Sequence, residues 1–186
     1  FGPINILQGN VTFESSSALG LGDSSKNIYI GNGAGFGWGT MAANCARPII
    51  CSNNATIYGL NVASNIFTGP ITLDSGNVNL NANFYHGMIF SNVISGAGGV
   101  TVQYQSYVTF AAANTYSGNT IIVDCGSAPG SILKLVGNGS VGNSTNIILL
   151  GITASQAYPG ALDVSGRSDG TLTLNNGQTL RGDNGS

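Results

Sequence analysis

Apolar residues come along this chain in short bursts, and many of the bursts alternate strictly with polar positions. Leu133-Lys134-Leu135 and Leu172-Thr173-Leu174 are examples. A period of two puts one face of a strand in a core and the other in water. Strands are predicted at Ile4-Asn5-Ile6-Leu7, Asn10-Val11-Thr12-Phe13, Asn27-Ile28-Tyr29-Ile30, Thr56-Ile57-Tyr58, Ile71-Thr72-Leu73 and Asn77-Val78-Asn79-Leu80. The series continues with Met88-Ile89-Phe90, Val100-Thr101-Val102, Tyr107-Val108-Thr109-Phe110, Thr120-Ile121-Ile122-Val123 and Ile132 to Leu135. It ends with Asn146-Ile147-Ile148-Leu149, Ala161-Leu162-Asp163-Val164 and Thr171 to Leu174. Gly, Asn and Ser separate them, which is the punctuation of an all-β fold. No window sets apolar residues at i, i+3, i+4 and i+7 with caps. The best helical stretch, Gly39 to Ala46, is short and runs into Pro48.

The strands belong to a larger repeat. Asn65-Ile66-Phe67-Thr68-Gly69-Pro70-Ile71-Thr72-Leu73 is echoed by Asn114-Thr115-Tyr116-Ser117-Gly118-Asn119-Thr120-Ile121-Ile122-Val123, and Phe1-Gly2-Pro3-Ile4-Asn5-Ile6 reads as a third copy already under way. Repetition with several strands per unit is the signature of a stacked coil. About eight coils of roughly 20 residues, spaced by the ~4.8 Å of neighbouring strands, would form a rod of about 40 Å. The prediction is a single all-β solenoid domain over residues 1–186, with a loop excursion around 31–55. There Gly31-Asn32-Gly33-Ala34-Gly35-Phe36-Gly37 reads as a loop leaving the stack, with Phe36 and Trp38 packing locally.

Composition changes the picture in two ways. Only 6% of the 186 residues are charged, while 42% are hydrophobic and 29 are Gly. That is too apolar for a disordered tract. No apolar run approaches the ~18 residues of a spanning helix. The formal net charge of −2 and the absence of a Lys/Arg cluster argue against nucleic acid as a partner. Few Lys and Glu, together with N-x-S/T sites at Asn10, Asn54, Asn138, Asn143 and Asn184, suit an exported, extracellular or cell-surface chain. Because Phe1 opens inside a repeat, the chain is expected to be a processed or excised piece.

Three passages carry a family likeness: Ser95-Gly96-Ala97-Gly98-Gly99-Val100, then Asn114 to Thr120, then Gly137-Asn138-Gly139-Ser140-Val141-Gly142. The ending Thr171-Leu172-Thr173-Leu174-Asn175-Asn176-Gly177-Gln178-Thr179-Leu180-Arg181-Gly182 extends it. Together they resemble the autotransporter-associated β-strand repeat of bacterial surface proteins. The likeness runs from about residue 94 to 186 and over 1–30, and is weak from 31 to 61. It departs at Val102 to Phe110, which is more aromatic than the family's Gly-rich stretch and lacks Lys. The resemblance implies a right-handed parallel β-helix and a place in a passenger stalk or adhesin.

Solenoids need caps, because terminal coils expose unpaired strand edges. None is visible here. Phe1, Gly2, Pro3 and Ile4 at one end, and Asn184, Gly185 and Ser186 at the other, are the candidate assembly ends, with copies of the chain meeting head to tail. The expected function is a structural fibre subunit; the alternatives are a passenger stalk and, less favoured, a carbohydrate-active β-helix.

Chemistry is sparse. Glu14, Asp23, Asp74, Asp124, Asp163, Asp169 and Asp183 are scattered singly. The Asp163, Arg167 and Asp169 group reads as a solvated turn. His86, the only His, has no adjacent acid for a triad, and two Cys with one distant His fall short of a zinc site. No catalytic residue, cofactor or metal is therefore expected. Cys45 and Cys51 flank Pro48 and are the expected disulfide, leaving Cys125 over. Arg181-Gly182-Asp183 reads as a turn rather than an adhesion tripeptide. Tyr104, Tyr107, Phe110, Tyr116 and Phe67 read as core ladders, with a sugar-binding stripe as the alternative and surface glycans as the corresponding partner.

Overall fold

The computed structural model describes residues 1–15, 17–39, 44–59, 65–82, 87–123, 130–151 and 158–184. The chain winds as a β-solenoid of about six turns; among the described residues every strand pairing is parallel and one 3-10 turn occurs, at Ala18–Gly20. The first coil holds β1 (Ile4–Ile6) and β2 (Asn10–Phe13). The second holds β3 (Ile28–Ile30), β4 (Gly35–Trp38) and β5 (Asn44–Cys45), and the third β6 (Ile49–Cys51), β7 (Thr56–Gly59) and β8 (Asn65–Phe67). The fourth holds β9 (Ile71–Leu73), β10 (Asn77–Asn81) and β11 (Gly87–Phe90), and the fifth β12 (Ile94–Gly96), β13 (Gly99–Gln103) and β14 (Tyr107–Phe110). Beyond them come β15 (Thr120–Val123) with β16 (Ile132–Gly137), β17 (Asn146–Gly151) with β18 (Ala161–Arg167), and lastly β19 (Thr179–Asn184).

The strands stack into three walls. The first runs β1-β3-β6-β9-β12, the second from β2 through β4, β7, β10, β13, β15 and β17 to β19, and the third from β5 through β8, β11, β14 and β16 to β18. Register in the first wall steps from Ile4 to Ile28, Ile49, Ile71 and Ile94, so a coil takes 21–24 residues there. Toward the C-terminus the coils lengthen. The second wall steps from Thr120 to Ile147, 27 residues, and from Ile147 to Leu180, 33 residues. These longer turns take up chain that a uniform 20-residue repeat would give to further coils.

Residue alternation decides which side of each wall is dry. Inward columns are Ile6, Ile30, Cys51 and Leu73 in the first wall, and Phe36, Ile57, Leu80, Val102 and Ile122 in the second. In the third they are Cys45, Phe67, Phe90, Phe110 and Leu135. All of these side chains are buried. An aromatic string runs through the core, from Phe13 to Phe36, Trp38, Phe67, Phe90, Phe110 and Tyr116, with ring centroids 4.8–6.5 Å apart. Tyr116 keeps its hydroxyl satisfied inside. It lies 2.6 Å from the Thr120 hydroxyl, which lies 2.7 Å from that of Ser144, and Ser144 donates to the carbonyl of Gly118. Burial pushes the Tyr116 phenol well above its ordinary range, so it stays neutral.

The expected excursion at 31–55 is not what the described residues show: β4, β5 and β6 are integral rungs of the stack. Gly35 and Gly37 face outward in β4, and a side chain at either would collide with Tyr58 of the next coil. Tyr58 therefore covers a bare strip of backbone, and a glycine-rich stretch behaves as a strand because an aromatic supplies the missing surface. The first wall stops as a ladder after β12, and side chains continue it. The Asn114 carboxamide oxygen accepts from the Ile94 N–H at 2.8 Å, and its nitrogen donates to the Ser140 carbonyl at 2.7 Å. Thr171 to Leu174, expected as a strand, has no strand partner.

Phe67 meets Trp38 edge-on, stacks on Phe90 and is 1% exposed. Phe67→Ala is expected to cost about 3–5 kcal/mol, the usual range for a phenyl lost from a packed core. Urea unfolding checks it; a loss under about 1 kcal/mol would mean that the aromatic string is not packed as described.

Candidate assembly ends

The two ends of the stack differ. At the N-terminal end β1 and β2 are the outermost rungs of their walls. The core beneath them is nonetheless closed: Ile6 and Phe13 are 4% exposed and Leu21 is fully buried. Arg47 holds this end together. It lies wholly inside the protein, just after β5. Its Nε donates to the Lys26 carbonyl at 2.9 Å and its Nη1 to the Leu19 carbonyl at 2.7 Å. Its Nη2 reaches the carbonyls of Gly2 and, at 3.4 Å, Asn27. A planar guanidinium with a fixed fork of donors suits such a cradle of carbonyls, where a neutral side chain would leave several acceptors dry. Of the candidate end residues, Phe1, Gly2 and Pro3 are exposed and Ile4 is half-buried.

The C-terminal end of the described stack leaves core positions exposed. β18 and β19 are the last rungs of their walls. The interior column Val78, Val100, Thr120, Ile147 ends on Leu180, which is 44% exposed. Leu174 is 39% exposed nearby in sequence, and Leu162, Val164 and Leu172 are only partly covered. A polar cavity of about 240 Å³ lies where the last turn bridges, lined in part by Asn114, Ser140, Arg167 and Asn175. Gln178 ties the last turn to the coil below by donating to the Ser144 carbonyl at 2.7 Å. Asn184 is the last residue of β19; its side chain, and Gly185 and Ser186, lie outside the described residues.

Cys45 and Cys51 are both buried and free, where the spacing suggested a bridge. The turn at Pro48 carries the chain from the third wall into the first, so the two thiols enter the core from different walls. Burial pushes Cys45 up to about 11, despite the opposing pull of the Arg47 backbone, and Cys51 up to about 12. His86, Asp124 and Cys125 lie outside the described residues.

Several charged groups are tied up locally. Asp169 accepts both Nε and Nη2 of Arg167, at 2.9 and 2.8 Å, which holds its carboxyl well below the usual range. Lys134 lies 3.6 Å from Asp163 on the next coil, and Arg181 lies 3.5 Å from Asp183 along β19. The Arg181-Gly182-Asp183 tripeptide is thus strand rather than turn. Asp23 is lowered chiefly by the Ser25 hydroxyl. Among the described residues no three His, Cys, Asp or Glu side chains gather as a metal site, and no helix is long and apolar enough to cross a membrane. No family model, no curated protein and no solved structure matches the chain.

Two expectations follow from the buried groups. Arg47→Met leaves carbonyls of the first two coils without donors and should cost about 2–4 kcal/mol, at 1–3 kcal/mol per stranded group with partial relief by water. Amide exchange should quicken first at Ile4 and Ile28, whose N–H groups bond to Asn27 and Pro48; unchanged exchange there contradicts the locking role. For the thiols, the folded protein keeps protons that the unfolded chain releases near pH 8.5. Their contribution is complete below that pH and declines above it by up to about 1.4 kcal/mol per pH unit per thiol. Urea unfolding at pH 8 and pH 10 reads the decline, and Cys51→Ala should reduce it; an identical decline in a variant lacking both thiols refutes the assignment.

Proposed function

We propose that the chain is a structural subunit of an extracellular fibre, its solenoid units stacked end to end with the C-terminal coil of one copy meeting the N-terminal coil of the next. The observation that carries this reading is Leu180. It occupies an interior column position, yet it is 44% exposed beside the unpaired edge of β19. An edge strand with apolar core residues at its flank is a template for another strand. The edges of β1 and β2 are the complementary surface, so the contact is heterologous and propagates. The low charge and the Asn/Ser/Thr-rich surface support an extracellular setting. The local pairing of Asp163, Asp169 and Asp183 supports a non-catalytic role.

A second reading, a stalk segment of an autotransporter-like passenger or adhesin, is favoured by the repeat resemblance over residues 94–186. In that case the coil above β19 belongs to the same polypeptide, and the same edge is covered covalently.

Negative-stain electron microscopy of the purified chain separates the two. The fibre reading expects filaments whose abundance rises with concentration, and their loss in Leu180→Asp with far-UV circular dichroism unchanged. Dispersed single rods at all concentrations would remove the fibre reading.

A further inference from the structure

Of the aromatic residues expected in the core ladder, Phe67, Phe110 and Tyr116 are buried, Tyr107 is half-buried on the outer face of the third wall, and Tyr104 is 57% exposed; Tyr158 is 42% exposed. The exposed pair occupies equivalent places. Tyr107, Ile132 and Ala161 share one column of the third wall. Tyr104 lies three residues before Tyr107, and Tyr158 three before Ala161. Both tyrosines therefore sit at the corner that leads into this wall, two coils apart, or about 10 Å along the rod.

Tyr104 is held outward by a backbone that resists it. Tyr104 and Gln105 are consecutive non-glycine residues in the left-handed region, at φ 61° and 57°. Such residues cost of order 1–3 kcal/mol each and persist where the surroundings fix them. Here Ser106, fully buried, donates to the Gln103 carbonyl and accepts from the Ala82 N–H at 2.6 Å, and Gln105 is 5% exposed. The turn is pinned to the coil below while its ring remains in solvent.

Beside this corner, the outer face of the third wall carries a shallow cavity of about 170 Å³, lined by Tyr107, Val108, Thr109, Ile132, Lys134 and Asp163. Lys134 and Asp163, both in its lining, pair at 3.6 Å with side chains 44% and 35% exposed, so both still have sites for a partner. The pair is neutral overall. Ring platforms at a fixed spacing, next to a cleft the size of one sugar ring with a carboxylate acceptor, an ammonium donor and a hydroxyl, match the two faces of a pyranose: apolar C–H groups above and below, hydroxyls around the rim.

We infer that the corner at Tyr104 and Tyr158 and the adjoining outer face of β14, β16 and β18 form a binding site for a neutral polysaccharide chain running along the rod. The site lies on the side of the solenoid, away from its ends, so it does not depend on whether copies stack. Tyr104 and Tyr158 stack on sugar faces two coils apart, and Asp163, Lys134 and Thr109 hydrogen-bond the hydroxyls of a unit in the cavity.

The test titrates the whole chain, by NMR or calorimetry, with short soluble oligosaccharides of glucose, N-acetylglucosamine, mannose and xylose, and with oligogalacturonate as an acidic control. One neutral series is expected to saturate. Tyr158→Ala and Asp163→Asn should each weaken it by about tenfold, as the loss of a central contact does, with the unfolding midpoint unchanged. Tyr104→Ala should do the same, but it touches the left-handed turn, so the other two variants, which lie outside that turn, carry the test. No binding by any neutral series, binding confined to the acidic control, or binding that survives both Tyr158→Ala and Asp163→Asn would each overturn the inference.

Discussion

In this protein the backbone of one coil is satisfied by the backbone of the next. The N–H of Ile28 bonds to the Pro48 carbonyl, that of Ile49 to Pro70 and that of Ile71 to Val93, at 2.8–3.0 Å. These bonds run along the rod, so a residue's neighbour in space is its counterpart about one coil away in sequence. Like then stacks on like. Isoleucine stacks on isoleucine in the first wall and phenylalanine on phenylalanine in the third. On the outside, the Asn146 side chain links that of Asn119 to Thr179, at 2.9 and 2.8 Å. The same constraint gives a reason for the scarcity of charge. A charged residue repeated at ~4.8 Å intervals would meet its own sign. Where charges do occupy successive coils, as at Lys134 and Asp163, they are opposite.

The constraint transmits its demand to the ends, and the two ends meet it differently. Near the N-terminus a buried guanidinium gathers carbonyls from Gly2, Leu19, Lys26 and Asn27. Parts of two coils and a connecting turn become one unit, and the first core residues are closed over. Near the C-terminus the coils lengthen, the first wall is carried by Asn114 and Ser140 rather than by a strand, and Leu180 stands in an interior column without a cover. The rod therefore has a polarity in stability as well as in chain direction. The described residues of β18 and β19 include no fully buried side chain.

Much of the fold was legible because its signal is local. Ile-x-Ile and Val-x-Val triplets flanked by Asn and Gly alternate inside and outside whatever lies above them, and thirteen of the fourteen predicted segments contain strands of the structure. The exceptions share a cause. Gly35 to Trp38 lacks side chains on its outer face, and its strand character comes from Tyr58, a coil away in space. Thr171 to Leu174 alternates as a strand should but has no strand beside it, and alternation cannot report the absence of a partner. Cys45 and Cys51 looked like a bridge because spacing along a chain does not show the corner between them. Arg47, a lone Arg between Ala46 and Pro48, left no pattern at all. A charge in so apolar a sequence was the one available hint, since a buried cation must be compensated. Residue type alone does not separate the aromatic side chains, because the left-handed turn at Tyr104, which sends one ring outward, is set by the buried Ser106 and its bonds to neighbouring backbone.

Methyl-to-methyl contacts measured by NMR on selectively labelled isoleucine test the axial register most directly. The account predicts a single chain of cross-peaks linking Ile28 to Ile49, Ile49 to Ile71 and Ile71 to Ile94, each to its counterpart one coil away. Contacts that instead joined residues across a tight hairpin, or that skipped these neighbours, would contradict the stacked parallel coil on which the Arg47 cradle, the exposed last coil and the outer face all depend.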